Sequence, residues 1–280
     1  MGQKRHRLYG SLSPIDSKKM KKKEFVITDF MDLHAKRGGI LNCLKSCIRQ
    51  FWHVCLPRNL PRHVCRKGIY YVLPISDLVS KRIVLKGYME PDSVLYFFNA
   101  ARQGTADVLL DIGSNIGYYS FLATKTGDFS EIHAIEPHPE IYRLLTDHIE
   151  RNAFNNMIMP HNFAASDQNR EMFIDTKAWS GATVSANKRQ ATIAIKATTL
   201  DSVFDFVGRR IAIKIDVEGH ETQALVGMKN LLANNAVLLQ VEIWGKSPNS
   251  LNYLSDSALR CIYRIKDNFY FVNDKWSENH

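Results

Sequence analysis

Short apolar runs recur along the chain at intervals that suit strands alternating with helices. Val108 to Leu110, Glu131 to Glu136, Met157 to Ala165, Ile211 to Ile215 and Ala236 to Ile243 are brief and largely apolar. Strands with one wet face alternate, so these runs predict strands buried on both faces, as in a parallel sheet. Between them, Ile141, Leu144, Leu145, His148 and Ile149 fall on one stripe and predict a helix over residues 140–152. Further helices are predicted from Tyr118, over residues 93–102 behind an Asp92 cap, over residues 199–207 behind Thr199 or Asp201, and from Glu218 to Ala233. Ile69 to Leu73 and Ile83 to Leu85 read as strands, and residues 171–175 and 191–197 as a strand pair. They flank a loop whose Trp179 suits stacking on a sugar ring. Near the end, Cys261 to Ile265 and Phe269 to Val272 form a hairpin about Lys266-Asp267-Asn268. The whole pattern is α/β.

Chemistry concentrates where these strands end. Residues 107–121, DVLLDIGSNIGYYSF, place Asp111 at a strand end and follow it with Gly113, Asn115 and Gly117 before a helix. Glycine there admits backbone angles that a side chain forbids and lets a ligand lie against bare backbone. Such turns at carboxyl strand ends are where open α/β sheets hold nucleotides. The next strand ends at Glu136, whose carboxylate can accept both hydroxyls of a ribose. The ligand is therefore expected to be a nucleoside. No Lys-Ser/Thr follows the glycines, which excludes a P-loop, and their spacing departs from the dinucleotide turn.

Four blocks, DIGSNIGYYSF, IEPHPE, KIDVEGHE at 214–221 and VEIW at 241–244, lie in an order that resembles the FkbM family of class I methyltransferases. The resemblance covers roughly residues 85 to 273. It implies a Rossmann-like three-layer sandwich: a mostly parallel seven-stranded sheet with a reversed C-terminal hairpin strand. It also implies S-adenosylmethionine as cofactor, held by Asp111, Gly113, Ser114, Asn115, Gly117, Glu136, Phe163, Ala164 and Asp216. The implied reaction is O-methylation of a sugar hydroxyl in a glycan, glycolipid or related metabolite. Asp216, Glu218 and His220 are the expected catalytic residues, with Glu242 at the neighbouring strand end. Glu221 matches the family pattern and also suits the charge of a helix start. An RNA 2′-hydroxyl acceptor and a non-catalytic nucleoside-binding protein are the alternatives. Lys214 is expected to point into the sheet, away from the site, which counts against RNA.

Charge divides the chain. Its net formal charge is +9, yet residues 1–67 hold 16 Lys and Arg against 4 acids, leaving residues 68–280 slightly acidic. The expected organisation is a disordered basic tail (1–23), an amphipathic helical arm (24–67) and a methyltransferase domain (68–280). The arm's helix, Ile40 to Leu56, suits either packing on the domain or peripheral contact with a membrane surface. Nucleic acid is not an expected partner, because the basicity lies outside the expected catalytic domain. An odd count of five cysteines, mostly clustered in one helix-like stretch, with no secretory signal and no apolar run of spanning length, points to a cytoplasmic protein, with the inner membrane face as its peripheral site. The pairs His53/Cys55 and His63/Cys65 are spaced unlike a common zinc framework, and no metal is expected.

Overall fold

The computed structural model describes residues 62–73, 78–175, 182–187, 192–243, 250, 253–254 and 258–277. The basic tail, the Ile40–Leu56 helix, the His53/Cys55 pair and the Trp179 loop lie outside the described residues. The elements in order are β1 (Arg62–Arg66), β2 (Ile69–Leu73), α1 (Leu78–Lys86), α2 (Pro91–Gln103), β3 (Val108–Ile112) and α3 (Tyr118–Thr126). There follow β4 (Glu131–Ile135), α4 (Pro139–Arg151), β5 (Ile158–His161), β6 (Ala164–Ala165), β7 (Arg170–Asp175), β8 (Val184–Ser185) and β9 (Thr192–Thr198). After a 3₁₀ turn, Leu200–Ser202, come β10 (Arg210–Ile215), α5 (Glu221–Val226), α6 (Lys229–Asn234), β11 (Ala236–Glu242), β12 (Leu259–Ile265), β13 (Asn268–Asn273) and α7 (Asp274–Ser277).

Seven strands make the main sheet in the order β12-β13-β11-β10-β3-β4-β5. The pairs β11/β10, β10/β3, β3/β4 and β4/β5 are parallel, and β13 runs antiparallel to both its neighbours. That is the class I methyltransferase sheet, with its reversed strand in the C-terminal hairpin. The central strands β3 and β11 are buried at every position, as their uniform apolarity requires. One apolar cluster joins the α2 and α3 face through Phe97, Phe98 and Phe121. A second covers the opposite face through Leu200, Leu225, Met228 and Leu231. Strands β6, β9, β7 and β8 form a small second sheet around Met172, Ile174 and Ile195.

Several expected elements take another form. Ile83 to Leu85 belongs to helix α1, because the buried positions Ser80, Ile83 and Val84 follow the helical period, not alternation. The run 157–165 divides into β5 and β6. Between them Asn162 turns its amide Nδ2 onto the carbonyls of Glu136 (2.8 Å) and Pro137 (3.2 Å), which ends the pairing with β4. The helix expected to run to Ala233 breaks into α5 and α6 at Gly227, where a Cβ would lie 1.9 Å from the Ser166 carbonyl oxygen. Asp201 does not cap its own turn: it accepts from the backbone N–H groups of Asn230 and Leu231 and so caps α6. Asp92 is likewise no cap. The cap position of α2 is Glu90, in the left-handed region at φ 39° and without a side-chain cap bond, and Pro91 opens the helix.

Candidate active site

The turn after β3 is built to lie flat against its neighbours. The N–H groups of Gly113 and Ser114 both donate to the Ile135 carbonyl at 2.9 Å, folding the turn over the end of β4. Gly113 has φ 75°, and a Cβ on it would fall 1.9 Å from the Asp216 carbonyl oxygen. This position needs glycine both for its backbone angle and for the approach of β10. Asn115, at φ 52°, turns its own Oδ1 onto the Ile116 N–H and donates its N–H to Glu136 Oε2 at 2.9 Å. The other Glu136 oxygen accepts from His138 N–H. Both oxygens are thus aimed, while burial pushes the carboxyl up to about 7 against the pull of those two donors.

A cavity opens along this turn, lined by Gly113, Ser114 and Asn115 on one side, Glu136, Phe163 and Ala164 on another, and Asp216 and Glu218 on a third. The floor beside Asp216 carries a charge cluster. Lys214 is 8% exposed, with Nζ 3.2 Å from Asp216 Oδ2, 3.8 Å from Asp111 Oδ1 and 5.0 Å from the centre of the Tyr119 ring. Burial opposes its charge, yet Asp216, Asp111 and Glu242 together hold its ammonium above the ordinary range. Asp111 is fully buried, and its Oδ2 accepts both from the Ser120 hydroxyl (2.7 Å) and from Ser120 N–H (3.1 Å). Burial raises its carboxyl in spite of Lys214 and Ser120. Glu242, buried at the end of β11, is pushed up to about 9 by burial and by the charges of Asp216 and Glu90, and shares a hydrogen bond with Asp216.

Comparison with known proteins fits this geometry. The profile of the methyltransferase FkbM domain matches residues 111–257, just over half of the chain. The chain belongs to the FkbM methyltransferase family. Among curated relatives, the hexuronic acid methyltransferase AglP of Haloferax volcanii is 26% identical over 155 residues, which are 54% of this chain and 62% of the relative. Among solved structures, the FkbM methyltransferase of Methylobacillus flagellatus has a TM-score of 0.43 at 18% identity, covering 68% of this chain and 52% of the other. Precorrin-6y C5,15-methyltransferase of Geobacter metallireducens has 0.40 at 13%, covering 66% and 88%. The chain therefore spans less than two thirds of AglP and about half of the Methylobacillus protein.

S-adenosylmethionine is the cofactor of this FkbM chain, and the cavity fits it. The buried Ser114 hydroxyl has no hydrogen-bond partner among the described residues and sits in the cavity wall, where a ligand's polar group would satisfy it. Among the described residues, the cavity's charged lining is four carboxylates (Glu90, Glu136, Asp216 and Glu218) against Lys214, matching the net positive charge of the sulfonium compound.

The residues expected from the sequence divide in two. Gly113, Ser114, Asn115, Glu136, Phe163, Ala164 and Asp216 line the cavity, as do Glu218 and His220. Asp111 and Gly117 do not: Asp111 stands behind the wall, fixing Ser120, and Gly117 is small because a Cβ would lie 2.7 Å from Leu145 and Phe121. His220 is held in the wall by Ser166, Nε2 to Oγ at 3.0 Å, and burial lowers its imidazole, so it stands there neutral. Glu221 is buried and accepts from Gly219 N–H at 2.7 Å, closing the turn that opens α5. The expectation for Lys214 is wrong. Side chains two apart on a strand share a face, so Lys214 lies beside Asp216, and the parallel register sets it opposite Asp111. A lysine inside the buried run IAIKI was the signal, since such a charge needs a partner.

Proposed function

We propose that the chain is an S-adenosylmethionine-dependent O-methyltransferase whose acceptor is a sugar hydroxyl. One observation carries this reading: Glu90, Asp216 and Glu218 line both the cofactor cavity and a larger adjoining cleft, so carboxylates stand where donor and acceptor would meet. Bound S-adenosylmethionine supplies an activated methyl group; the protein's task is to align an oxygen and remove its proton. The Gly113–Asn115 turn and the Ser114 hydroxyl would hold the cofactor's polar end, Glu136 its ribose hydroxyls, and Phe163 with Ala164 its base. Asp216, ion-paired with Lys214, would take the hydroxyl proton. Glu242 would support it as a neutral carboxyl donating to Asp216, leaving a single negative charge on the pair. The AglP relative, named for a sugar-acid acceptor, supports a sugar as substrate. His220 has no part in this proton transfer, because it already shares its Nε2 with Ser166.

The test is transfer of labelled methyl from S-adenosylmethionine to a panel of methyl glycosides by the full chain, with Asp216→Asn as control. Label on a sugar oxygen, reduced at least a hundredfold in the variant, is expected. Label on no sugar by a protein that binds the cofactor would overturn the reading.

A further inference from the structure

The proton transfer above leaves His220 without a task, yet the residue is firmly held. Its N–H donates to the Val217 carbonyl at 3.3 Å, and its own carbonyl accepts from Ala224 N–H at 3.1 Å where α5 opens. The ring is buried and lines the cofactor cavity but not the adjoining cleft, so it faces the cofactor's side of the site. Ser166, whose Oγ lies 3.0 Å from His220 Nε2, directly follows β6, and Ala164 and Ala165 of that strand line the same cavity. The bond therefore sets the imidazole at the Phe163–Ala165 end of the wall. Among the described residues gathered there, Phe163, Ala164, Ala165, Ile174 and Val184 are apolar, so His220 supplies the side-chain acceptor.

The tautomer of His220 is fixed through Ser166. The Ser166 hydroxyl donates to Asp167 Oδ1 at 3.0 Å, and that same oxygen is ion-paired with Arg170 Nη2 at 3.3 Å. An ionised carboxylate only accepts, so the hydroxyl hydrogen lies on the Asp167 side and Ser166 Oγ turns a lone pair to the ring. Met172 Sδ, at 3.8 Å, is the weaker alternative for that hydrogen and leaves the same lone pair. His220 Nε2 then carries the hydrogen of the ring. Burial lowers the imidazole, so the ring is neutral and Nδ1 is bare, with no hydrogen-bond partner among the described residues. In the reading above, Glu136 takes the ribose hydroxyls and the Gly113–Asn115 turn the polar end, which leaves adenine's exocyclic amine as the cofactor's donor beside Phe163 and Ala164. We infer that His220 Nδ1 accepts a hydrogen bond from that amine, which makes His220 a specificity determinant for the cofactor's base. This rests on the placement of the base against Phe163 and Ala164 proposed above. Hypoxanthine carries a carbonyl oxygen in place of the amine, and two lone pairs would then face each other.

The experiment titrates the full chain by calorimetry with S-adenosylhomocysteine and with S-inosylhomocysteine, its hypoxanthine counterpart. Wild type is expected to bind the adenine compound at least tenfold more tightly, about 1.4 kcal/mol. His220→Phe, which keeps a ring but no acceptor, is expected to bring that ratio to about threefold or less. Ser166→Ala, which frees the ring to take either tautomer, is expected to fall between the two and keeps the comparison valid should His220→Phe fold poorly. A ¹⁵N NMR spectrum of histidine-labelled wild type reads the ring itself. His220 should show a bare Nδ1 and a protonated Nε2, with the Nδ1 resonance shifted by the adenine compound. A merely structural histidine would weaken both compounds alike on substitution and leave Nδ1 unshifted. Equal binding of the two compounds by wild type, a ratio that neither variant moves, or a protonated Nδ1 overturns the proposal and leaves the sugar O-methyltransferase reading standing. A folded wild type that binds neither compound sinks both. Failure of label transfer to any sugar, the test given above, sinks that reading alone and leaves these affinities as they are.

Discussion

Lys214→Met is the substitution that most sharply tests the charge cluster beneath the site. Methionine keeps the unbranched length and the contact with Tyr119 while deleting the ammonium. At an effective dielectric of about 20, separations of 3.2 and 3.8 Å to Asp216 and Asp111 correspond to about 5 and about 4 kcal/mol of attraction, most of it offset by desolvation of the lysine. Removing one partner leaves the others uncompensated, which costs about 3–5 kcal/mol for buried pairs. Asp216 is 30% exposed, so the lower end, about 3 kcal/mol, is expected. The loss has a definite pH dependence. Burial already holds the Asp111 carboxyl above its ordinary value, and without Lys214 it rises further. A carboxyl whose folded value is raised favours the folded state fully below its unfolded value, and that contribution disappears as pH rises through the folded value. The deficit should therefore grow as pH is raised and shrink as it is lowered, at up to about 1.4 kcal/mol per pH unit where Asp111 titrates. Urea unfolding of both proteins at a series of pH values measures it. A deficit below about 1 kcal/mol at pH 8, or one that does not change with pH, refutes the cluster as drawn here.

Gly113→Ala should destabilise the fold by more than about 2 kcal/mol, because the positive φ costs about 1 kcal/mol and the new methyl must displace the Asp216 carbonyl; thermal unfolding reports it. Affinity for S-adenosylmethionine should rise from pH 6 to pH 8 with release of a proton, since ribose hydroxyls favour the ionised form of a Glu136 carboxyl that burial sets near 7. Calorimetry in two buffers of different ionisation enthalpy detects that proton, and its absence would separate Glu136 from the ligand. His220→Gln should leave the shape of the pH–rate profile unchanged, as the imidazole is neutral through the neutral range; loss of a limb of that profile would make His220 a proton carrier.

The buried strands and the position of the turn were legible because they rest on local rules. Uniform apolarity marks strands buried on both faces, and the glycine turn after Asp111 marks the strand end at which the cavity opens. What escaped depends on distant partners. Asp111 reads in sequence as a ligand contact, but the fold gives its carboxylate to Ser120, nine residues ahead on α3. Gly117 reads as a second bare-backbone position, yet the constraint on it comes from Leu145 on another helix. Glu242 was visible at a strand end. Its coupling to Asp216 needed the β10/β11 register, which no local pattern sets. Lys214 was the avoidable error, since period two along β10 already placed it beside Asp216.

The most direct measurement of the central claim is calorimetric titration of S-adenosylmethionine into the full chain and into its Glu136→Ala variant. Binding in the micromolar range, about −8 kcal/mol, weakened tenfold or more by the substitution, is the predicted result. A folded wild-type chain that binds no S-adenosylmethionine, or binds it equally well without the Glu136 carboxylate, contradicts the account.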